Sequence, residues 1–399
     1  MNGIIVVIFW ISLIIIFYTY LGYGILIFLL VKIKELFKKS VCKSLPEDLP
    51  DVSLIIAAYN EEDFVRIKME NSLALDYPKE KFHIVWVTDG TTDSTNDRLA
   101  AYPEVEVYFS PERKGKTAAI NRIMPFVKSP IVIFTDANTM LNSKAVKNMV
   151  TEFTDPQVGC VAGEKRVSNE PPVPGEDGCV ATGEGLYWKY ESFLKTYDYR
   201  LYTDVGAAGE LFAVRRELFR QQPEDTLLDD FMISMEIAAG GYRIAYCPDA
   251  YASESGSANF KEESKRKVRI SAGGLQSIWR LRYLLNPFKY GVLWFQYVSH
   301  RVLRWTLTPF LLLLIIPLNV YLCIVYPHDL IYRIFLIGQA LFYLGAWLGY
   351  VTTKKDSSSR LLFLYYFLFM NFNVFRGVFY LMRKREGGAW EKARRARKL

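Results

Sequence analysis

Three stretches of this chain carry no charged residue: Gly3 to Val31, Trp305 to Pro327 and Ile334 to Thr353. Each is long enough to cross a hydrocarbon layer about 30 Å thick, and that limits the chain to architectures with membrane helices. A cleaved signal peptide is the rival reading of the first run. No basic residue precedes that run, and it exceeds the usual apolar length of a signal. Hydrophobic residues make up 51% of the 399 residues and charged residues 23%, so the apolar content is segregated rather than spread. The length leaves room for one soluble domain beside the membrane segments.

The expected division is a membrane helix and basic linker over 1–44, and a soluble domain over 45–285. An interfacial helix and membrane segments over 286–382 follow, then a basic tail over 383–399. Lys32, Lys34, Lys38 and Lys39 follow the first span, and His300, Arg301 and Arg304 precede the second. Under the positive-inside rule both flanks, and the domain between them, are cytoplasmic. Met382–Leu399 holds eight Lys or Arg against two Glu, a charge of +6 within a net +7. Next to a membrane such a tail is expected on anionic headgroups rather than on nucleic acid. Five scattered cysteines without a CxxC, and three distant histidines, offer neither a disulfide framework nor a zinc or His-rich site.

In the soluble part, apolar runs alternate with helical stretches. Val52–Ala57, 82–90, 105–109 and 130–136 read as strands, with helices between them. This alternation predicts an α/β unit with a mainly parallel sheet. In such sheets ligands bind beyond the carboxyl ends of the strands. Asp89 and Asp136 each close a strand there, and Tyr59, Asn60 and Glu61 lie just past another. Asx-turns account for each singly, since Asp and Asn are favoured turn residues. They do not account for three polar clusters at one sheet edge.

The motifs at these places resemble family 2 of the glycosyltransferases, inverting enzymes with a GT-A (Rossmann-like) fold. "AAYNEE" is similar to the family's opening motif, with Ala57 where Pro is usual. "VTDGTTDST", "GKTAAIN" and "FTDANT" resemble its nucleotide, Gly-Lys and Asp-x-Asp segments. "GAAGELFAVRRELF", "LLDDF", "GYRIAYCPDA" and "RKVRISAG" continue the likeness in order, over about 50 to 280. The membrane flanks are similar to those of poly-N-acetylglucosamine and hyaluronan synthase-type enzymes.

The resemblance implies roles. Ala58, Tyr59, Glu61, Asp89, Lys116 and Asp136 would form the nucleotide pocket, Tyr59 packing on the base and Asp89 accepting from uracil or ribose. For Lys116 the plainer alternative is a solvated helix start. Asp136 and Asn138 would hold Mg²⁺ or Mn²⁺, as oxygen ligands suit these ions. Asn138 departs from the second Asp and lacks its charge. Arg266 and Arg269 would face the diphosphate, in the manner Arg favours. Ile270 stands where processive members have Trp, which counts against processive polymerisation. Gly209, Glu210 and Asp229 would lie at the acceptor. A hydroxyl nucleophile has to lose a proton, and Asp230, last of "LLDDF", is the expected base.

"FKYGVLWFQYVS", within Asn286 to Ser299, is aromatic and too short to span, which suits an interfacial helix. Leu361–Met382 is interrupted by Arg376, and a full span would carry the basic tail outside, so a re-entrant or interfacial segment is expected. "REGGAWEKARR" resembles the cytosolic tail of related synthases. The chain thus reads as a GT-A domain flanked by transmembrane helices in the inner or plasma membrane. The expected reaction transfers sugar from a UDP-sugar to a lipid-linked or growing polysaccharide acceptor in envelope synthesis. Partner subunits and membrane lipids are expected as partners, nucleic acid is not. Two rivals remain at this point: a transferase acting on polyprenyl phosphate, and a silent nucleotide-binding membrane subunit.

Overall fold

In the computed structural model, residues 2–37, 43–168, 178–257, 259–352 and 361–383 are described. Lys38, Lys39, Cys42 and the basic tail beyond Arg383, with its "REGGAWEKARR", lie outside them.

The four expected strands form: β1 (Val52–Ala58), β2 (Phe82–Asp89), β3 (Val105–Ser110) and β4 (Ile131–Asp136). With β5 (Met140–Leu141), β6 (Val158–Ser168), β7 (Leu211–Arg215) and β8 (Arg243–Ser255) they make an eight-stranded sheet in the order β3-β2-β1-β4-β7-β6-β8-β5. The sheet is mixed. β3-β2-β1-β4 and β6-β8 pair in parallel, whereas β7 runs antiparallel to β4 and β6, and β5 antiparallel to β8.

Strand side chains alternate between faces, so a strand covered on both sides reads as a continuous apolar run. Leu54, Ile56, Ile84, Trp86, Ile131 and Ile133 enter one core with Val65 and Met69 of helix Glu62–Leu73 and Met149 of helix Ala145–Glu152. Ile55, Val85, Val87, Val132 and Phe134 enter the other with Ile120 of helix Lys116–Ile123 and Met235 of helix Asp229–Ala239. Helix Pro287–Tyr297 adds Leu293 and Tyr297 to this second core and leaves Phe288 fully outside. The expected interfacial helix therefore has one face docked on the domain.

Four helices among the described residues are long and apolar enough to cross a membrane: Asn2–Phe37, Leu307–Val325, Leu330–Val351 and Leu362–Arg383. The last is one unbroken helix, not a re-entrant loop. It lies along helix Phe260–Arg280. The Ser264 hydroxyl donates to Asn373 Oδ1 (2.8 Å), Tyr366 donates to Glu263 Oε1 (2.9 Å), and Gly377 comes so close that a Cβ there would stand 2.8 Å from the Ser271 Cβ.

Candidate active site

The register of β1, β2 and β4 delivers the expected groups to one edge. Ala57 pairs with Asp136, and Ala58 with Thr88, so Tyr59, Asp89 and Asp136 leave the sheet side by side. They line a cavity of about 1160 Å³ together with Ala58, Glu61, Lys116, Gly209, Glu210, Asp229, Asp230, Arg266 and Arg269. Of the residues expected at the site, Asn138 alone is absent from this wall. β4 ends at Asp136 and residues 137–138 form a turn, so the strand period of two that would put Asn138 on the face of Asp136 no longer applies.

Lys116 is the hub. Its Nζ donates to Asp136 Oδ1 at 2.6 Å and lies 3.5 Å from the Gly209 carbonyl oxygen. Burial alone would lower the Lys116 pKa, but Asp136 and Asp229 outweigh it and hold it above the ordinary lysine range. A Cβ on Gly209 would stand 3.1 Å from Asp230 Oδ2 and 3.2 Å from Lys116 Nζ. Gly209 thus keeps open the space between the two, and it contributes room rather than a side-chain contact.

Asp229 and Asp230 begin helix Asp229–Ala239. Asp230 Oδ1 accepts from the Phe231 N–H (2.8 Å), and Asp229 Oδ2 is buried with no hydrogen-bond partner among the described residues. Burial, then the like charge of Asp229, push the Asp230 carboxyl up to about 7. That places it near neutrality, where a general base is most effective.

Asp89 and Tyr59 are more engaged than expected. Asp89 Oδ2 accepts from the N–H groups of Lys114 (2.9 Å) and Gly115 (2.6 Å), and Arg122 Nη1 approaches Oδ1 at 3.3 Å. Asp89 therefore fixes the loop that carries Lys116. The Arg113 guanidinium covers the Tyr59 ring at 3.8 Å. Arg266 is drawn into a carboxylate cluster, with Glu210 at 3.3 Å, Glu263 at 3.6 Å and Glu254 at 3.8 Å. Lys165 bridges Glu210 (2.7 Å) and Glu254. Burial would raise the Glu210 pKa, but Lys165 and Arg266 overcome it and hold it well below the usual carboxylate range. Arg269 makes no such pair, and its Nε is buried without a partner among the described residues. Burial, then Arg266, lower its pKa.

Several site residues were not foreseen. Lys68, wholly buried, donates to the Thr139 carbonyl (2.7 Å) and Thr135 Oγ1 (3.2 Å) beneath Asp136, and burial lowers its pKa to about 7. Arg301 and Arg304, expected as flanking charges, instead reach inward to Glu191 at 2.5 and 3.1 Å, and all three line the cavity. Their spacing of three, which puts both on one helix face, was the available signal.

Among the described residues, no group of three or more His, Cys, Asp or Glu is arranged to hold a metal ion. Asp136, among the carboxylates of the wall, and the orphaned buried oxygen Asp229 Oδ2 would suit an ion carried largely by substrate phosphates, the usual habit of Mg²⁺.

Residues 50–273 match Glycosyltransferase like family 2, and the chain belongs to that family. A poly-beta-1,6-N-acetyl-D-glucosamine synthase of Staphylococcus aureus is 26% identical over 246 residues, 59% of this chain and 57% of that one. A probable glycosyltransferase of Bacillus subtilis, YdaM, is 25% identical over 261 residues, 61% and 59% of the two chains. The chain thus spans less than two thirds of the length of these relatives. A mannosyltransferase of Pyrobaculum calidifontis, solved with GDP-Man and Mn²⁺, shares the fold over 95% of this chain and 100% of its own, with TM-score 0.69 and 21% identity.

Proposed function

We propose that this chain is a membrane-embedded inverting glycosyltransferase. It moves a sugar from a UDP-sugar to a membrane-borne acceptor in the synthesis of an envelope or exported polysaccharide. The observation that carries this reading is the convergence of Asp136, Asp229 and Asp230 on Lys116, in a cavity continuous with the membrane helices.

The chemistry follows from placement. A hydroxyl of the acceptor attacks the anomeric carbon, the bond from that carbon to the diphosphate breaks, UDP departs, and Asp230 receives the hydroxyl proton. Charge grows on the leaving diphosphate, and cations fixed in advance stabilise that state more than the ground state. Arg269, with a guanidinium nitrogen unpaired among the described residues, is suited to the diphosphate. Arg266, tied to Glu210, Glu254 and Glu263, acts by holding the wall. A divalent Mg²⁺ or Mn²⁺ held by Asp136 would neutralise the diphosphate, and Lys116 would give up its contact with Asp136 to admit it. Asp89 fixes the Lys116 loop, and Lys68 supports the strand end from behind.

The silent-subunit alternative has less support, because Asp230, Lys116 and Arg269 line one cavity. Placement of the domain on the cytoplasmic face, and partner subunits, belong to the same proposal. The test is UDP release by the purified full chain from a panel of UDP-sugars, with the anomeric configuration of the product read by NMR. Release from one donor and an inverted product are expected. No release from any UDP-sugar, or a retained configuration, would overturn the reading.

A further inference from the structure

The cavity does not end at the carboxylates. Its wall continues onto all four apolar helices, through Phe17, Leu312, Phe335, Phe342, Phe367 and Val374. A sugar chain has hydroxyls on every residue, and hydroxyls lose free energy when buried without partners. This wall offers them little. Along it Tyr20 donates to Asn371 Oδ1 and Tyr366 donates to Glu263 Oε1 at 2.9 Å, while Gln339 Oε1 is buried without a hydrogen-bond partner among the described residues. A hydrocarbon chain is the occupant such a wall suits.

Where the apolar wall meets the site stands Arg304. Its side chain is 11% exposed, and only Nη1 is engaged by Glu191, at 3.1 Å. Nε and Nη2 are buried with no hydrogen-bond partner among the described residues. Glu191 is shared with Arg301 at 2.5 Å, so one carboxylate faces two guanidiniums. Arg304 lies over the Tyr190 ring (5.5 Å), and the Tyr190 hydroxyl donates to the Tyr20 carbonyl (2.6 Å) in the first apolar helix. The adjoining Trp305 packs edge-on against Phe231, the neighbour of Asp230, at 5.2 Å. A buried cation with two nitrogens unpaired among the described residues, in a wall shared by a hydrocarbon-lined groove and a base, matches an anionic headgroup on a long apolar chain.

Resting on the transferase reading above, we propose that the acceptor is a saccharide carried on a long-chain lipid phosphate. Its phosphate sits on Arg304, its chain lies in the groove between the apolar helices, and a hydroxyl of its sugar faces Asp230. Arg269 serves the donor diphosphate and Arg304 the acceptor phosphate.

The experiment measures binding of a radiolabelled long-chain polyprenyl phosphate to the full chain in detergent. The uncharged polyprenol and a soluble oligomer of the donor sugar serve as comparisons. Wild type should hold the phosphate lipid more tightly than the polyprenol, and excess UDP should not displace it. Arg304→Gln should weaken phosphate-lipid binding roughly tenfold or more, the worth of a charged hydrogen bond. Gly338→Phe tests the groove without disturbing the charge cluster. Gly338 lines the cavity and an added Cβ would meet nothing within 4 Å, so the variant should fold and lose both lipids. Retained UDP affinity in each variant checks folding. Equal affinity for polyprenol and its phosphate, displacement by UDP, unchanged binding in both variants, or tight binding of the oligomer alone would overturn the proposal. UDP release without lipid binding would remove the acceptor class and leave the transferase. Lipid binding with no donor turned over would do the reverse.

Discussion

Asp230→Asn keeps the shape of the side chain and removes its capacity to take a proton. With the Asp230 carboxyl at about 7, wild-type kcat/KM should rise about tenfold per pH unit below that value and level off above it. The sign follows from the cause. Burial and Asp229 favour the neutral acid, so the ionised base exists only on the alkaline side. At pH 8 the variant should lose about 10²- to 10⁴-fold, the usual worth of general-base catalysis. At pH 5 only about one wild-type molecule in a hundred carries an ionised Asp230, so the gap should shrink by about two orders of magnitude. The variant's own profile should be flat over this range. Asp229→Asn, which removes the neighbouring like charge, should move the wild-type inflection to lower pH and cost much less in rate. The assay is UDP release at subsaturating donor, with UDP affinity measured alongside. A variant profile parallel to wild type, or full activity in Asp230→Asn, would refute the assignment and bring forward a phosphate oxygen, which needs no base, as the nucleophile.

Three further outcomes are expected. EDTA should abolish turnover and Mn²⁺ or Mg²⁺ restore it, while Asp136→Ala should lose roughly 10²-fold or more even in excess metal, as when a key electrostatic stabiliser is removed; full activity in EDTA would end the metal reading. Asn138→Asp should leave the half-saturating metal concentration unchanged, because Asn138 lies off the cavity wall; tighter metal would restore it as a ligand. Gly206→Ala should lower the unfolding temperature by a cost of about 1–3 kcal/mol, the usual price of overpacking, since Gly206 has φ +91° and its Cβ would lie 2.2 Å from Phe231 Cδ2; an unchanged transition would show that Phe231 moves freely.

The parts of the fold and site legible in the sequence are those governed by local pattern. β1, β2 and β4, with the Asp or Asn at or just past their ends, followed from continuous apolar runs, the pattern of a strand covered on both faces; β3, the exposed edge strand, ends on Ser110. β7 breaks the parallel run by entering between β4 and β6, a long-range pairing that no local period encodes. The side chains whose roles changed have remote partners. Arg266 meets Glu210 and Glu254 from different strands and loops, and Arg301 and Arg304 meet Glu191 more than a hundred positions away. Asn138 lies off the cavity wall for the opposite reason: two positions in sequence do not fix a common direction once a strand has ended.

The contact between helices Phe260–Arg280 and Leu362–Arg383 bears on how this protein can be handled. The segment that matches the family stops at residue 273, inside the first of these helices and short of its partner. Excising the catalytic region at that boundary would cut the helix that carries Arg269, and strip Glu263 and Ser264 of Tyr366 and Asn373. The stretch that sequence likeness delimits is therefore not one that can be moved between proteins. Domain swaps with other members of the family should exchange the final apolar helix together with the matched region, and solubilised fragments lacking it should be expected to lose the geometry around Arg266 and Arg269.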